Sequence, residues 1–256
     1  MKDGKGFSHP RNRIPSSFFD RNIFYMLLGV AAIVLASCVF YFIDFVPSLS
    51  HLDITMFSGP TTGNYYSTVQ RATEIAGQKR GRIVNVVTNG SLDNITRISA
   101  MKGGAFALAQ NGMPWPAGME LIAHIKSPET VFFLGPRADS INSLAHLRGK
   151  RIGIGPKGSG TAYLAERIFS GPGMKDLNVV LSHHTADEQL DLLRRGVLDL
   201  GVFVISDRSS FIENAVRDAG MQIAGLKQCE SIAMRLPFLR PEFIREGLYD
   251  PVRNLP

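Results

Sequence analysis

The run from Ile23 to Ile43, within "NIFYMLLGVAAIVLASCVFYFIDF", holds 21 uncharged, mostly apolar residues. About 20 residues at a rise of 1.5 Å each are needed to cross a hydrocarbon layer of ~30 Å. Lys2, Lys5, Arg11, Arg13 and Arg21 precede the run, and the next Lys or Arg is Arg71. That asymmetry predicts residues 1–22 as a cytoplasmic basic arm, residues 23–46 as a single-pass transmembrane anchor in a bacterial inner membrane, and the rest as a periplasmic domain. A buried core helix would leave the charge asymmetry unexplained. A further reading stands beside the anchor. Leu35-Ala36-Ser37-Cys38 fits the box at which bacterial lipoproteins are cut and lipidated. Because Val39–Ile43 stays apolar where a lipoprotein usually turns polar, the retained anchor is preferred. Either way, the lipid bilayer is a partner and the domain is tethered to it.

The remaining chain is long enough to bury one large core or two small lobes, with 45% of all residues apolar. Beyond Pro47 the basic excess is slight and scattered, which argues against a nucleic-acid footprint. Of the two cysteines, Cys38 lies in the apolar run, so Cys229 has no partner for a disulfide and no cluster for zinc.

Short apolar runs alternate with helical periods, as in α/β units with a largely parallel sheet. Strands are predicted at 52–57, 83–87, 105–109, 131–134, 151–154, 179–181 and 201–204. One helix places Tyr65, Val69, Ala72 and Ala76 on a common face. Another takes Ser91 as N-cap and turns Leu92, Ile95 and Ile98 inward. Helices are also predicted at 187–195, closed by Gly196, and at 209–219, burying Phe211, Ile212, Ala215 and Val216.

Gly153-Ile-Gly155-Pro-Lys-Gly158 matches G-x-G-x-x-G literally, between a strand and a helix. A dinucleotide fold would need an acid after the next strand, which instead runs into Ser182-His183-His184. A P-loop would need a lysine after Gly160, where Thr161 stands. No nucleotide or other cofactor is therefore implied. Ser159, Gly160 and Thr161 still open a helix, whose free N–H groups and dipole favour an anion. Ser159 or Thr161 acting only as a helix cap is the plainer reading of this loop alone. The device recurs, however, at "MFSGPTTGNYYSTVQ" and at "VVTNGSLDNITRI". Hydroxyl-bearing helix starts at the carboxyl ends of strands are where open α/β sheets bind ligands.

The order of "SGPTTGNYY", "NGSLDNITRISAMKGGAFALAQNG", "LRGKRIGIGPKGSGT" and "RRGVLDLGVFV" resembles the TAXI family of solute receptors. These serve tripartite ATP-independent periplasmic (TRAP) transporters. The resemblance spans most of 54–204 and implies a type-2 periplasmic-binding-protein-like fold of two α/β lobes, here preceded by one transmembrane helix. The first part of lobe one would occupy 47–128, starting near Asp53, and lobe two 129–228, with the crossing near Ala123–Val131. By motif, a small organic anion, such as a glutamate-like or dicarboxylate solute, would meet Thr61, Thr62, Tyr65, Ser91, Asn94 and Gln110 from lobe one. Ser159, Gly160, Thr161 and Phe203 would meet it from lobe two, before delivery to TRAP membrane permease subunits. The stretch "ISDRSS" after Val204 departs from the family by lacking a glycine-rich turn.

A membrane-anchored sensor or enzyme on the same fold is the alternative. The arm before Ile23 is short for an output domain, and the loops offer hydroxyls without a nearby acid or histidine for catalysis. His183 and His184, adjacent on a strand, point to opposite faces and are not expected to share a metal. Cys229 reads as a packed thiol, and Asp187, Glu188 and Asp191 as a solvated helix face. Trp115 either shapes a hinge or packs. Residues 229–256 resemble the start of a return connection, apparently C-terminally truncated. Phe238, Leu239 and Phe243 are expected to lack a full partner surface there.

Overall fold

The computed structural model describes residues 16–42, 48–101, 103–125 and 128–256. Lys2, Lys5, Arg11, Arg13 and Ile43 lie outside them. The chain forms two compact units, residues 1–47 and 48–256.

In the first unit, α1 (Ser16–Phe42) is one continuous helix. Its Arg21–Tyr41 portion is long and apolar enough to cross a membrane, and a signal sequence has the same character. The large apolar side chains from Ile23 to Tyr41 are exposed, as a lipid-facing helix requires.

The second unit contains two sheets. The first joins β1 (Asp53–Phe57), β2 (Arg82–Val86) and β3 (Ala105–Ala107) in the order β2-β1-β3. All of its strands are parallel, with Phe57 paired to Val86 and to Ala107. Between these strands run α2 (Asn64–Gln78), burying Val69 and Ala76, and α3 (Ser91–Ala100), burying Ser91, Asn94 and Ile95. Ser91 is the first residue of α3 and Gly90 its N-cap, one position from the expected cap.

The second sheet has the order β6-β5-β7-β4-β8. Its strands are β4 (Thr130–Gly135), β5 (Arg151–Ile154), β6 (Val180–His183), β7 (Leu200–Ile205) and β8 (Gln222–Ile223). β5 is parallel to β6 and β7, whereas β4 runs antiparallel to β7 and β8. The expected parallel sheet is thus mixed. Parallel pairing follows from helical crossovers within a sheet, but β4 enters from the first sheet through a long connection and is free of that constraint.

Alternation along the strands builds a core on each face of this sheet. Phe133, Ile152, Ile154, Leu200 and Val202 face α4 (Gly160–Phe169), which contributes Leu164, Ala165 and Ile168. Phe132, Leu134 and Phe203 face the other way, towards α5 (Ala186–Arg194) and α6 (Ser210–Arg217), with Leu193, Ile212 and Val216. Thr185 caps α5 reciprocally with Glu188, which explains the acidic first turn read from the sequence. Arg151 clasps Asp199 through Nε and Nη2 at 3.1 and 3.0 Å, fastening β5 beside β7.

After α7 (Cys229–Arg235) the tail is better held than expected. Phe238 and Leu239 pack against the first of these cores, and the Arg167 guanidinium lies 5.5 Å from the Phe238 ring centroid. Tyr249 is buried in the second core and donates its hydroxyl to the Asp207 carbonyl at 3.0 Å. Its hydroxyl pKa is pushed up to about 12, by burial first and then by Asp207 and Glu213. Only Phe243, of the three residues expected to lack partners, stands free, at 88% exposure.

Candidate functional site

The literal G-x-G-x-x-G receives a packing explanation. A Cβ at Gly153 would stand 2.8 Å from Gln189 Oε1, so this glycine makes room for a buried glutamine beneath the sheet. Gly158 has φ +83°, the left-handed conformation that lets the strand turn into α4. Ser159 Oγ accepts from the Ala162 N–H at 3.1 Å and so caps its own helix, with its O–H still free to donate. The N–H groups of Gly160 and Thr161 have no partner among the described residues.

The second glycine-rich start approaches the first. The Leu92 and Asp93 N–H groups, in the first turn of α3, both donate to the Gly158 carbonyl at 3.1 Å. The α3 N-terminus is therefore filled by the chain itself, whereas the first N–H groups of α4, like those of Asn64, Tyr65 and Tyr66 at the start of α2, have no partner among the described residues. A Cβ at Gly160 would collide with Gln110 Oε1 and stand 2.8 Å from Ser91 Oγ, so only glycine permits this approach.

Around Gly160 four polar side chains converge. Ser91 Oγ accepts from the Gln110 N–H at 3.0 Å. Gln110 Nε2 donates to Glu129 Oε2 at 3.1 Å, and the Tyr65 hydroxyl donates to the same oxygen at a weak 3.4 Å. Gln110 Oε1 is buried with no donor among the described residues. Burial holds the Glu129 carboxyl above its ordinary range, and its bonds to Gln110 and Tyr65 only partly offset this. The Tyr65 hydroxyl is pushed well above its usual range, by burial first and then by the Glu129 charge. Of the two tyrosines, Tyr65 is thus the one that reaches this cluster.

The structure brings Tyr65, Ser91, Gln110 and Gly160 together, with Ser159 and Thr161 on the adjoining turn. Thr61 and Thr62 sit exposed on the turn before α2. Two expected ligand contacts are corrected. Asn94 is fully buried and committed: its Nδ2 donates to the Ser58 and Leu108 carbonyls, each at 2.7 Å, and its Oδ1 accepts from the Thr88 hydroxyl. It braces the chain just beyond β1, β2 and β3 instead of facing a ligand. Phe203 is in the core under α6, with its ring centroid 5.3 Å from that of Phe211.

Glu129 is the site residue that the sequence reading missed. Its signal was slight: an acid after Pro128, directly before an apolar strand. Elsewhere, His183 Nδ1 contacts the Gly155 carbonyl at 3.1 Å and His184 Nε2 contacts Ser182 Oγ at 3.0 Å. Cys229 donates to the Leu226 carbonyl at 2.8 Å, and burial pushes its thiol up, as befits a packed, unreactive cysteine. Trp115 is half exposed and donates from Nε1 to the Met119 carbonyl at 3.1 Å.

Residues 56–255 match the NMT1-like family. The chain belongs to the NMT1-like family. Similar solved structures include an ancestral arginine-binding protein bound to arginine, at 18% identity and TM-score 0.44, covering 67% of this chain and 78% of that one. The regulatory domain of CcmR from Synechocystis in complex with 2-PG is similar at 12% identity and TM-score 0.48, over 69% and 82% of the two chains. An arginine periplasmic binding protein from Legionella pneumophila is similar at 13% identity and TM-score 0.42, over 69% and 80%. The NMT1-like match runs from Met56 in β1 to Leu255, so it takes in both sheets and the whole polar cluster between them.

Proposed function

We propose that this NMT1-like protein is an extracytoplasmic solute receptor, which holds a small carboxylate between its two sheets and passes it to membrane permease subunits. The observation that carries this reading is the α4 start. The Gly160 and Thr161 N–H groups are free among the described residues, and side chains from the first sheet's side converge on them. A carboxylate there gains backbone bonds, the Thr161 hydroxyl and a dipole contribution of about 0.3–1 kcal/mol. Tyr65, Ser91 and Gln110 supply the opposing wall, with Thr61 and Thr62 at its rim. The two sheets would then act as lobes of a type-2 binding protein, and the resemblance of the sequence to TAXI receptors supports delivery to a TRAP permease. In this reading α1 is a retained inner-membrane anchor and the second unit is periplasmic. No catalytic step is assigned to the cluster.

The test is thermal unfolding of the full chain in detergent against small mono- and dicarboxylates, amino acids, and mono- and dinucleotides. A ligand at 100 times its dissociation constant stabilises by about 2.7 kcal/mol. For a domain of this size that raises the melting temperature by roughly 5–10 °C. Thr161→Val keeps the shape and removes a hydroxyl, so it reduces the shift. Changing the exposed Lys157 to Ala leaves it largely intact. A melting shift with nucleotides and with no carboxylate overturns the reading.

A further inference from the structure

We propose that residues 119–125, in the connection between β3 and β4, pair as an antiparallel strand with the same residues of a second copy of this chain. The interface is two-fold and centred on Ile122.

The first ground is an apolar run with little against it. Leu121, Ile122 and Ile125 are 58%, 71% and 57% exposed, and Ala123 and His124 between them are exposed as well. From Met119 to Ile125 the chain makes no helix, turn or bend, and its main-chain N–H groups have no partner among the described residues. One carbonyl is used: Met119 accepts from the Trp115 Nε1–H at 3.1 Å. Aliphatic side chains on a run with free N–H and C=O groups form a template for another strand.

The second ground, which selects a second copy as the partner, is charge and register. Successive side chains of a strand alternate between its two faces. With Ile122 opposite its own copy, Glu120 lies opposite His124 on both sides of the axis, so a carboxylate meets an imidazole N–H twice. The same register sets Leu121 against Ala123 and Met119 against Ile125, which makes the other face wholly apolar. Centring the pair on Leu121 or Ala123 instead sets Ile122 against Glu120 or against His124, and the match is lost. Trp115 fits the same arrangement. In an extended run the Met119 carbonyl that it takes faces away from the main-chain groups of Glu120, Ile122 and His124, so the pairing side stays open.

The test uses the full chain in detergent. Its mass, measured across concentrations, should follow a monomer–dimer equilibrium. In a Cys38→Ala background, Ile122→Cys and Ile125→Cys are then oxidised separately. Opposed Cα atoms of a hydrogen-bonded antiparallel pair stand about 5.5 Å apart, within disulfide reach, so Ile122→Cys should cross-link. The two copies of residue 125 would lie six residues apart along the pair, about 20 Å, so the similarly exposed Ile125→Cys should not. His124→Glu sets two carboxylates face to face and should weaken association about two- to tenfold, and adding Glu120→Lys should restore it. A monomer at every concentration, equal cross-linking at both positions, or association unchanged by His124→Glu overturns the proposal.

Discussion

At the scale of single residues, the same side-chain chemistry serves opposite ends. Ser159 and Ser91 are both hydroxyls at helix starts, yet Ser159 caps its own helix, whereas Ser91 receives the Gln110 N–H from a distant loop. Glu129 is held uncomfortably, since burial raises its carboxyl pKa above the ordinary value of 4.5. Between the ordinary and the raised value the folded protein keeps a proton that the unfolded chain releases. Stability therefore falls as pH rises through that window and levels off above it. In ligand-free protein, Glu129→Gln removes the ionisable group but can still accept from Gln110 and Tyr65. Its melting advantage over the wild type should be small near pH 4 and larger near pH 8. An advantage that does not change between those two values would show that the Glu129 charge carries no penalty in the folded state.

Among elements, the decisive contacts lie just beyond the carboxyl ends of strands. Ser58 follows β1, Thr88 lies beyond β2, and Leu108 follows β3 directly; Asn94 on α3 bonds to all of them. One amide thereby sets the height of three loops and orients the α3 N-terminus towards Gly158. Asn94→Leu keeps the volume but takes the Nδ2 donor from two carbonyls and the acceptor from the Thr88 hydroxyl, which still receives the Gly90 N–H at 3.2 Å. Each group left without a partner costs about 1–3 kcal/mol. The expected result is a large loss of stability in urea unfolding, equal with and without solute. A variant of normal stability with weakened solute binding would return Asn94 to the ligand contacts.

For the molecule as a whole, the long apolar helix and the α/β unit pose separate questions, and topology joins them. With a retained anchor, the basic residues before Ile23 and their absence up to Arg71 predict the α/β unit outside. Protease added to intact spheroplasts should then digest residues beyond the helix. Digestion only after lysis would reverse the orientation. With a retained anchor, Cys38→Ala leaves the protein in the membrane fraction, whereas release of soluble protein by that change favours lipidation at Cys38.

The sequence by itself determined features that depend on near neighbours. Length and apolarity set α1 apart, and β5 was legible residue for residue at Arg151–Ile154 because alternation and flanking turns are local signals. β8 was missed because two residues, Gln222 and Ile223, carry no period. Within "NGSLDN" the sequence could not separate Ser91 from Asn94, which lie one turn apart on the same helix face. The approach of Gly158 and of the three strand ends decided which one meets Gln110 and which is a brace. Phe203 alternates correctly along β7, but packing of α6 against that face made it core. Glu129 lay beyond any local rule. Its partners Gln110 and Tyr65 stand 19 and 64 residues away, and only the folding of two sheets against one connection gives an isolated acid after a proline its burial and its neighbours.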